Sequence, residues 1–521
     1  MTMPSGSSTT AAPVWGPARR QPRQASRALA IYAAAVLAYA LIFAFWQVEP
    51  LPFDIYALGV LIFATSLMPL MIWTTRDRRS LPIFELIVLS YAAQYSMPLF
   101  TQANGIVIFS QFVPISWQAL SQALALTQVG LVAFIAGYYL FLRSPLAAAL
   151  PRLDLPFTEQ RRMTYVYGSF LLGGAVMLLN AAGVGILQTA ALGALTSLLA
   201  GQFNIALILL AYHLFEQPRA PRKQRVVLYA ALLFAFLIGL SSGMLENAFI
   251  PLVGVFVVRW QARRRLPWRW LAAAAALYVV LNPAKFTFRS LVWFDGANYS
   301  LGDRIGLWSD LASQSAGNLL QPTFASDRED LVLGALSRFD LVHKFAYVRT
   351  MTPQVVPYYQ GSTYAYFLVA WIPRAIWPDK PTATGGANDR MDVDYRLKVE
   401  GSGSSIGIGL LPEAYANFGA VGVLLVMVLQ GAVLGMLSAM LNGRNSDGGR
   451  AIYLSLGVYL LNGIGTSASV MFGAIFQQVL ASAILVRPFT SGWRTVPEQI
   501  AEPVERTHNA QPVLVSRMSN E

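Results

Sequence analysis

Apolar residues in this chain gather into long runs, without the period-2 alternation of half-buried strands. Twelve runs stand out, at about 28–46, 55–73, 83–99, 119–142, 163–180, 189–215, 226–240, 247–260, 270–284, 419–441, 451–468 and 471–487. Most approach the roughly 20 residues a helix needs to cross a bilayer's hydrocarbon core. The pattern predicts an all-α polytopic membrane protein of about twelve transmembrane helices. About nine form an N-terminal bundle over 27–284 and about three more lie in 414–487.

The polar stretches between the runs sort by charge. TTRDRRS (74–80), the 143–162 segment with Arg143, Arg152, Arg161 and Arg162, PRAPRKQR (218–225), QARRR (261–265) and NGRNSDGGR (442–450) fall on one side, while QVEPLPFD (47–54) and SSGMLE (241–246) carry no Lys or Arg. Basic loops mark the cytoplasmic side of a membrane protein. Residues 1–26, rich in Ser, Thr, Pro and Arg, read as a disordered cytoplasmic tail, and 488–521 as a second cytoplasmic tail. Arg19, Arg20, Arg23 and Arg27 precede the first run and hold the N-terminus inside, so no cleaved signal peptide is expected.

Composition agrees with this reading. The 521 residues are 55% hydrophobic and 12% charged, with a mean hydropathy of +0.49, whereas a soluble chain carries about 25% charged residues. The net charge of +12 is accounted for by the cytoplasmic loops, so no nucleic-acid partner is implied. The absence of cysteine excludes thiolate catalysis, disulfides and cysteine-ligated metals, and the three histidines, His213, His343 and His508, are too scattered for a histidine-rich metal site.

One connection is long. Residues 285–413 form an external loop that holds 13 of the 26 acidic residues and twelve Lys or Arg. Apolar residues at helical spacing in 305–319 and 331–348 predict short amphipathic helices there, on or near the membrane surface. Within the loop, WIPRAIWPDKP (371–381) packs three prolines, two tryptophans, two cations and one carboxylate into eleven residues. The prolines forbid a continuous helix and hold Arg374, Asp379 and Lys380 on a stiff turn beside Trp371 and Trp377. Such a turn suits a phosphate, and it equally suits an interfacial anchor whose cations reach lipid headgroups.

The succession MTPQVVPYYQGSTYAYFLVAWIPRAIWPDKP (351–381), GGANDR (385–390) and GSGSSIGIGLLPEAYANFGAVGVLL (401–425) resembles the oligosaccharide repeat unit polymerases, the Wzy-type family of O-antigen and exopolysaccharide polymerases. The shared features are an IPR-x-x-WP-x-KP element and a glycine- and serine-rich approach to an acidic residue before NFG, concentrated over about 338–425. The resemblance implies a multi-pass protein of the bacterial inner membrane with a periplasmic loop. It implies transfer of a growing glycan from undecaprenyl pyrophosphate to the terminal hydroxyl of a lipid-linked repeat unit delivered by a flippase. The bilayer is a partner, and a separate protein is expected to control chain length.

That chemistry needs cations to hold the departing pyrophosphate and a carboxylate to take the acceptor proton. Candidate cations are Arg289, Arg338, Arg374, Lys380, Arg390 and Arg396; converging guanidinium forks can replace a divalent metal, so no metal or other cofactor is expected. Arg289 also reads as a snorkelling anchor, and Arg338 as part of a solvated helix face. Glu413, in LLPEAYANFG at the outer mouth of a membrane helix, leads as the base, with Asp340 and Asp379 as alternatives. Its other reading is a helix-start carboxylate after Pro412. Trp371, Trp377 and the tyrosines of TYAYF around Ala365 offer faces for glycan or lipid.

Asp392-Val393-Asp394 spells the short DxD pattern of nucleotide-sugar transferases, but the external loop has no access to nucleotide sugars. No GxxxxGK[ST] loop is present to support ATP use. Two other functions compete: an O-antigen ligase using the same donor, and a flippase for lipid-linked oligosaccharide. A transporter should keep its charges within the helices and show two related halves. Few ionisable residues lie in the apolar runs, Glu85 being one, and no repeat is visible.

Overall fold

Lipid offers no hydrogen bonds, so a chain this apolar must satisfy its backbone internally, and helices do so. The computed structural model describes residues 22–490 apart from 47–49, 76–79, 101–102, 109–110, 186–189, 218–219, 264, 295–298, 321–338, 371, 373–376, 378, 381–385, 387, 401–405, 444–446 and 474. The predicted apolar runs overlap helices, although 451–468 extends past the helix Asp447–Gly463 and 471–487 is divided between Ala468–Phe472 and Ile475–Val486. The first group comprises α1 (Pro22–Phe45), α2 (Phe53–Thr75), α3 (Ile83–Tyr95), α4 (Trp117–Arg143), α5 (Pro145–Ala149), α6 (Glu159–Ala181), α7 (Ala190–Glu216), α8 (Arg222–Ser241), α9 (Leu245–Arg263) and α10 (Trp268–Arg289). A two-stranded antiparallel hairpin, β1 (Gly105–Ile108) and β2 (Gln111–Pro114), pairs Ile106 with Val113 between α3 and α4.

The later elements are α11 (Leu301–Leu320), α12 (Val342–Met351), α13 (Tyr366–Ala370), α14 (Asp389–Asp394), α15 (Leu410–Leu441), α16 (Asp447–Gly463), α17 (Ala468–Phe472) and α18 (Ile475–Val486). Among the described residues ten helical segments are long and apolar enough to cross a membrane. The two remaining runs fall on α9, which carries Glu246, Arg259 and Arg263, and on α16, which has 17 residues.

α4 and α15 form the most intimate pair, because small residues let their backbones meet. A Cβ on Gly431 would sit 2.1 Å from the Phe134 carbonyl oxygen, and one on Gly137 2.1 Å from that of Val428. Close approach of this kind replaces the hydrophobic drive that lipid cannot supply between helices. Around this seam a continuous core runs through α3, α4, α7, α15 and α16. A second cluster joins α8, α9, α10 and α11, where the Trp308 indole N–H donates to the Leu240 carbonyl at 2.7 Å. α11 thus lies with one apolar face down, as its amphipathic pattern predicts.

α12 is different. Val342, His343, Phe345, Ala346 and Val348 are all buried, and the helix docks against α4 and α15. Its approach is tied to α3 by Leu341 N–H donating to the Gln94 carbonyl at 3.1 Å. Of the helix expected over 331–348, residues 331–338 lie outside the described residues, and the part from Val342 onward is packed into the protein core.

Candidate functional site

The start of α15 gathers most of the polar structure. Gly419 has φ 66° and ψ −154°, a conformation essentially reserved for glycine, and it breaks α15 after two turns. A broken helix leaves carbonyls without intrahelical partners. The Ala416 and Asn417 carbonyls accept instead from the backbone N–H groups of Tyr359 (3.0 Å) and Gln360 (3.2 Å). The break thus docks the 359–364 segment onto the helix mouth.

That docking encloses Glu413, which is 0% exposed. Its Oε1 accepts from the Thr363 hydroxyl at 2.8 Å and its Oε2 from the Ala468 N–H at 2.6 Å. Asn417, one turn on, donates from Nδ2 to Thr363 Oγ1 and to the Glu413 carbonyl, both at 2.8 Å, while its Oδ1 accepts from Gly361 N–H at 2.9 Å. Because Asn417 occupies the hydroxyl as donor, the Thr363 proton is directed at the carboxylate. Each carboxylate oxygen accepts one bond here and keeps capacity for another.

The other two candidate carboxylates sit differently. Asp340 is buried and accepts from the backbone N–H (3.1 Å) and the Nδ1–H (2.9 Å) of His343, so it caps α12 and fixes the imidazole. Asp379 is exposed on the proline-rich turn. Beside Asp340, Lys344 donates to the Gly407 carbonyl at 3.3 Å, and burial pulls its ammonium below the usual value against the opposing charges of Asp340 and Asp392.

Asp392 and Asp394 face different partners. Asp392 is buried and accepts from the N–H groups of Ile406 (2.9 Å) and Gly407 (3.1 Å), which fixes the backbone leading into α15; burial pushes its carboxyl up. Asp394 accepts the Tyr359 hydroxyl at 2.7 Å and lies 3.6 Å from Arg390. Burial, followed by this bond, raises the Tyr359 phenol.

The cations also separate. Arg390 is exposed, with its guanidinium 5.1 Å above the Tyr359 ring. Arg396 is exposed at φ 56°, with its charge near Tyr347, and half-buried Arg349 has its charge near Tyr415. Together with Tyr358 and Tyr395, these residues make an arginine-tyrosine patch over α12, α14 and the start of α15. Burial pushes the Tyr395 phenol up to about 12. Lys380, by contrast, is buried and donates to the carbonyls of Ala370 (3.1 Å) and Ile372 (2.8 Å), with its ammonium 5.5 Å from the Tyr366 ring. Arg289 donates to the Gly243 carbonyl at 2.8 Å and covers Trp293 at 4.5 Å, which clamps α10 to the α8–α9 turn within the second cluster.

Arg338, Arg374 and Trp371 lie outside the described residues. Trp377 is 39% exposed. Position 365 is alanine, so the aromatic contact there falls to its neighbours Tyr364 and Tyr366. The sequence did not single out Thr363 or Asn417. Asn417 carried a signal, the i,i+4 spacing that places it on the Glu413 face, whereas Thr363 reaches the site through the tertiary fold alone.

Searches of curated proteins and of solved structures found no match to the chain. A family model matches residues 58–488, which takes in every described element from α3 through α18 and the whole of the Glu413 site. The chain belongs to that family, DUF8712, a domain of unknown function.

Proposed function

We propose that this protein is a membrane glycosyltransferase that polymerises undecaprenyl-pyrophosphate-linked oligosaccharide repeat units at the periplasmic face of the bacterial inner membrane. The observation that carries the reading is the buried Glu413 at the mouth of a membrane-length helix, next to an arginine-tyrosine patch. The segment with the family resemblance, 338–425, supplies both.

In this reading the acceptor sugar's hydroxyl oxygen attacks the anomeric carbon of the donor glycan. A glycosidic C–O bond forms as the C–O bond to pyrophosphate breaks, the carrier pyrophosphate leaves with the electron pair, and the hydroxyl proton passes to Glu413. Arg390, Arg396 and Arg349, with Arg338 and Arg374 assigned from sequence, hold the leaving diphosphate by charge-assisted bonds. Tyrosine faces accommodate sugar rings. In this reading Lys380 and Asp392 organise the backbone around the site, and Arg289 ties the second cluster together.

Deletion of the gene tests the proposal through the surface glycan. Loss of the polymer ladder with single repeat units retained is the expected result. Polymer accumulating on the lipid carrier would indicate a ligase, and repeat units stranded inside a flippase.

A further inference from the structure

Tyr364 follows Thr363 in a 3-10 turn over Ser362–Tyr364, directly beside Glu413. Its hydroxyl oxygen is buried and has no hydrogen-bond partner among the described residues. Burial pushes the phenol well above its ordinary value and the charge of Glu413 pushes it further, so at physiological pH it keeps its proton and is a hydrogen-bond donor. Buried hydroxyls are normally paired, and an unpaired one needs an explanation.

The surroundings supply one. Thr363, Asn417 and Ala468 satisfy the protein-facing side of Glu413, and each of its oxygens can accept once more. A phenol donor next to a carboxylate acceptor is complementary to a group that both accepts and donates, which is the definition of a hydroxyl. The Tyr364 ring stacks between Phe367 and Phe418, with centroids 6.4 and 6.3 Å away, and both outer rings are exposed. Two exposed aromatic rings therefore stand next to Tyr364, and such faces suit sugar rings.

We infer that Tyr364 and Glu413 form a hydroxyl-binding subsite for the acceptor sugar, with Tyr364 donating to a sugar oxygen and thereby positioning the neighbouring O–H against Glu413. This rests on the transferase reading above. Tyr364 is a positioning residue and takes no proton itself.

The test compares full-length wild type with Tyr364→Phe, purified in lipid nanodiscs, by thermal unfolding and by transfer assays using lipid-linked repeat units isolated from the deletion strain. A structural tyrosine would lose stability on losing its hydroxyl; an unpaired one would not, because the desolvation cost of its O–H disappears. The expected result is an unchanged or higher Tm together with an acceptor KM raised roughly three- to tenfold, the value of one hydrogen bond, and kcat changed less. A fall in Tm, or an unchanged KM, would overturn the subsite. A wild type that transfers nothing would instead refute the transferase reading, and the thermal comparison then decides the subsite: a stabilised Tyr364→Phe sustains the unpaired hydroxyl, and a destabilised one removes it.

Discussion

Asn417→Ala removes a side chain that, with Thr363, ties the Glu413 pocket to the docked 359–364 segment. The deletion breaks three hydrogen bonds, to Thr363 Oγ1, to the Glu413 carbonyl and from Gly361 N–H. At about 0.5–1.5 kcal/mol each, their loss amounts to about 1.5–4.5 kcal/mol, and the Gly361 N–H left without an acceptor pulls the value toward the upper half. Unfolding of purified protein titrated with SDS in mixed micelles gives the free-energy difference. Because Asn417 and Thr363 share a bond, the cost of Asn417→Ala combined with Thr363→Val should differ from the sum of the single costs by at least about 0.5 kcal/mol. A single-variant cost below about 0.5 kcal/mol, or strict additivity, would refute the network.

Lys380→Met leaves the Ala370 and Ile372 carbonyls without their ammonium donor and should lower stability by about 1–3 kcal/mol in the same titration, whether or not substrate is present. Gly431→Ala forces a Cβ against the Phe134 backbone and should cost about 1–3 kcal/mol, while Gly168→Ala, where nothing lies within 4 Å, should be neutral or mildly stabilising. The raised Asp392 carboxyl sets a pH dependence. Its stabilising contribution is fully present below the ordinary aspartate value of about 3.9 and is lost as pH rises through the raised folded value; thermal unfolding across acid pH should show that limb in wild type and a flatter one in Asp392→Asn.

The long helices were legible because lipid tolerates little besides long apolar runs, and among the described residues ten helical segments are long and apolar enough to cross a membrane. α12 was not. Its apolar residues Val342, Phe345, Ala346 and Val348 sit at spacings that fit an amphipathic surface helix, and only the docking of Leu341 on Gln94 and of the helix on α4 and α15 reveals a core element. Glu413 was legible from its place at a helix mouth, but its partners Thr363 and Ala468 lie 50 and 55 residues away and leave no mark in local pattern. WIPRAIWPDKP read as a stiff turn presenting two cations. Lys380 instead turns inward onto the Ala370 and Ile372 carbonyls, a tertiary contact that composition does not encode.

In the proposed reaction, glycan passes from a polyprenyl-pyrophosphate donor to an acceptor hydroxyl whose proton Glu413 takes. Incubating purified protein with lipid-linked repeat units and resolving the products by gel tests it most directly, with Glu413→Gln run in parallel and a chelator in a third reaction. Wild type should give a ladder of polymer and released carrier pyrophosphate, with and without chelator, and Glu413→Gln a rate roughly 10²–10⁴-fold lower, as for loss of a general base. Full turnover by Glu413→Gln, or repeat units left unextended by a folded wild-type protein, would contradict it.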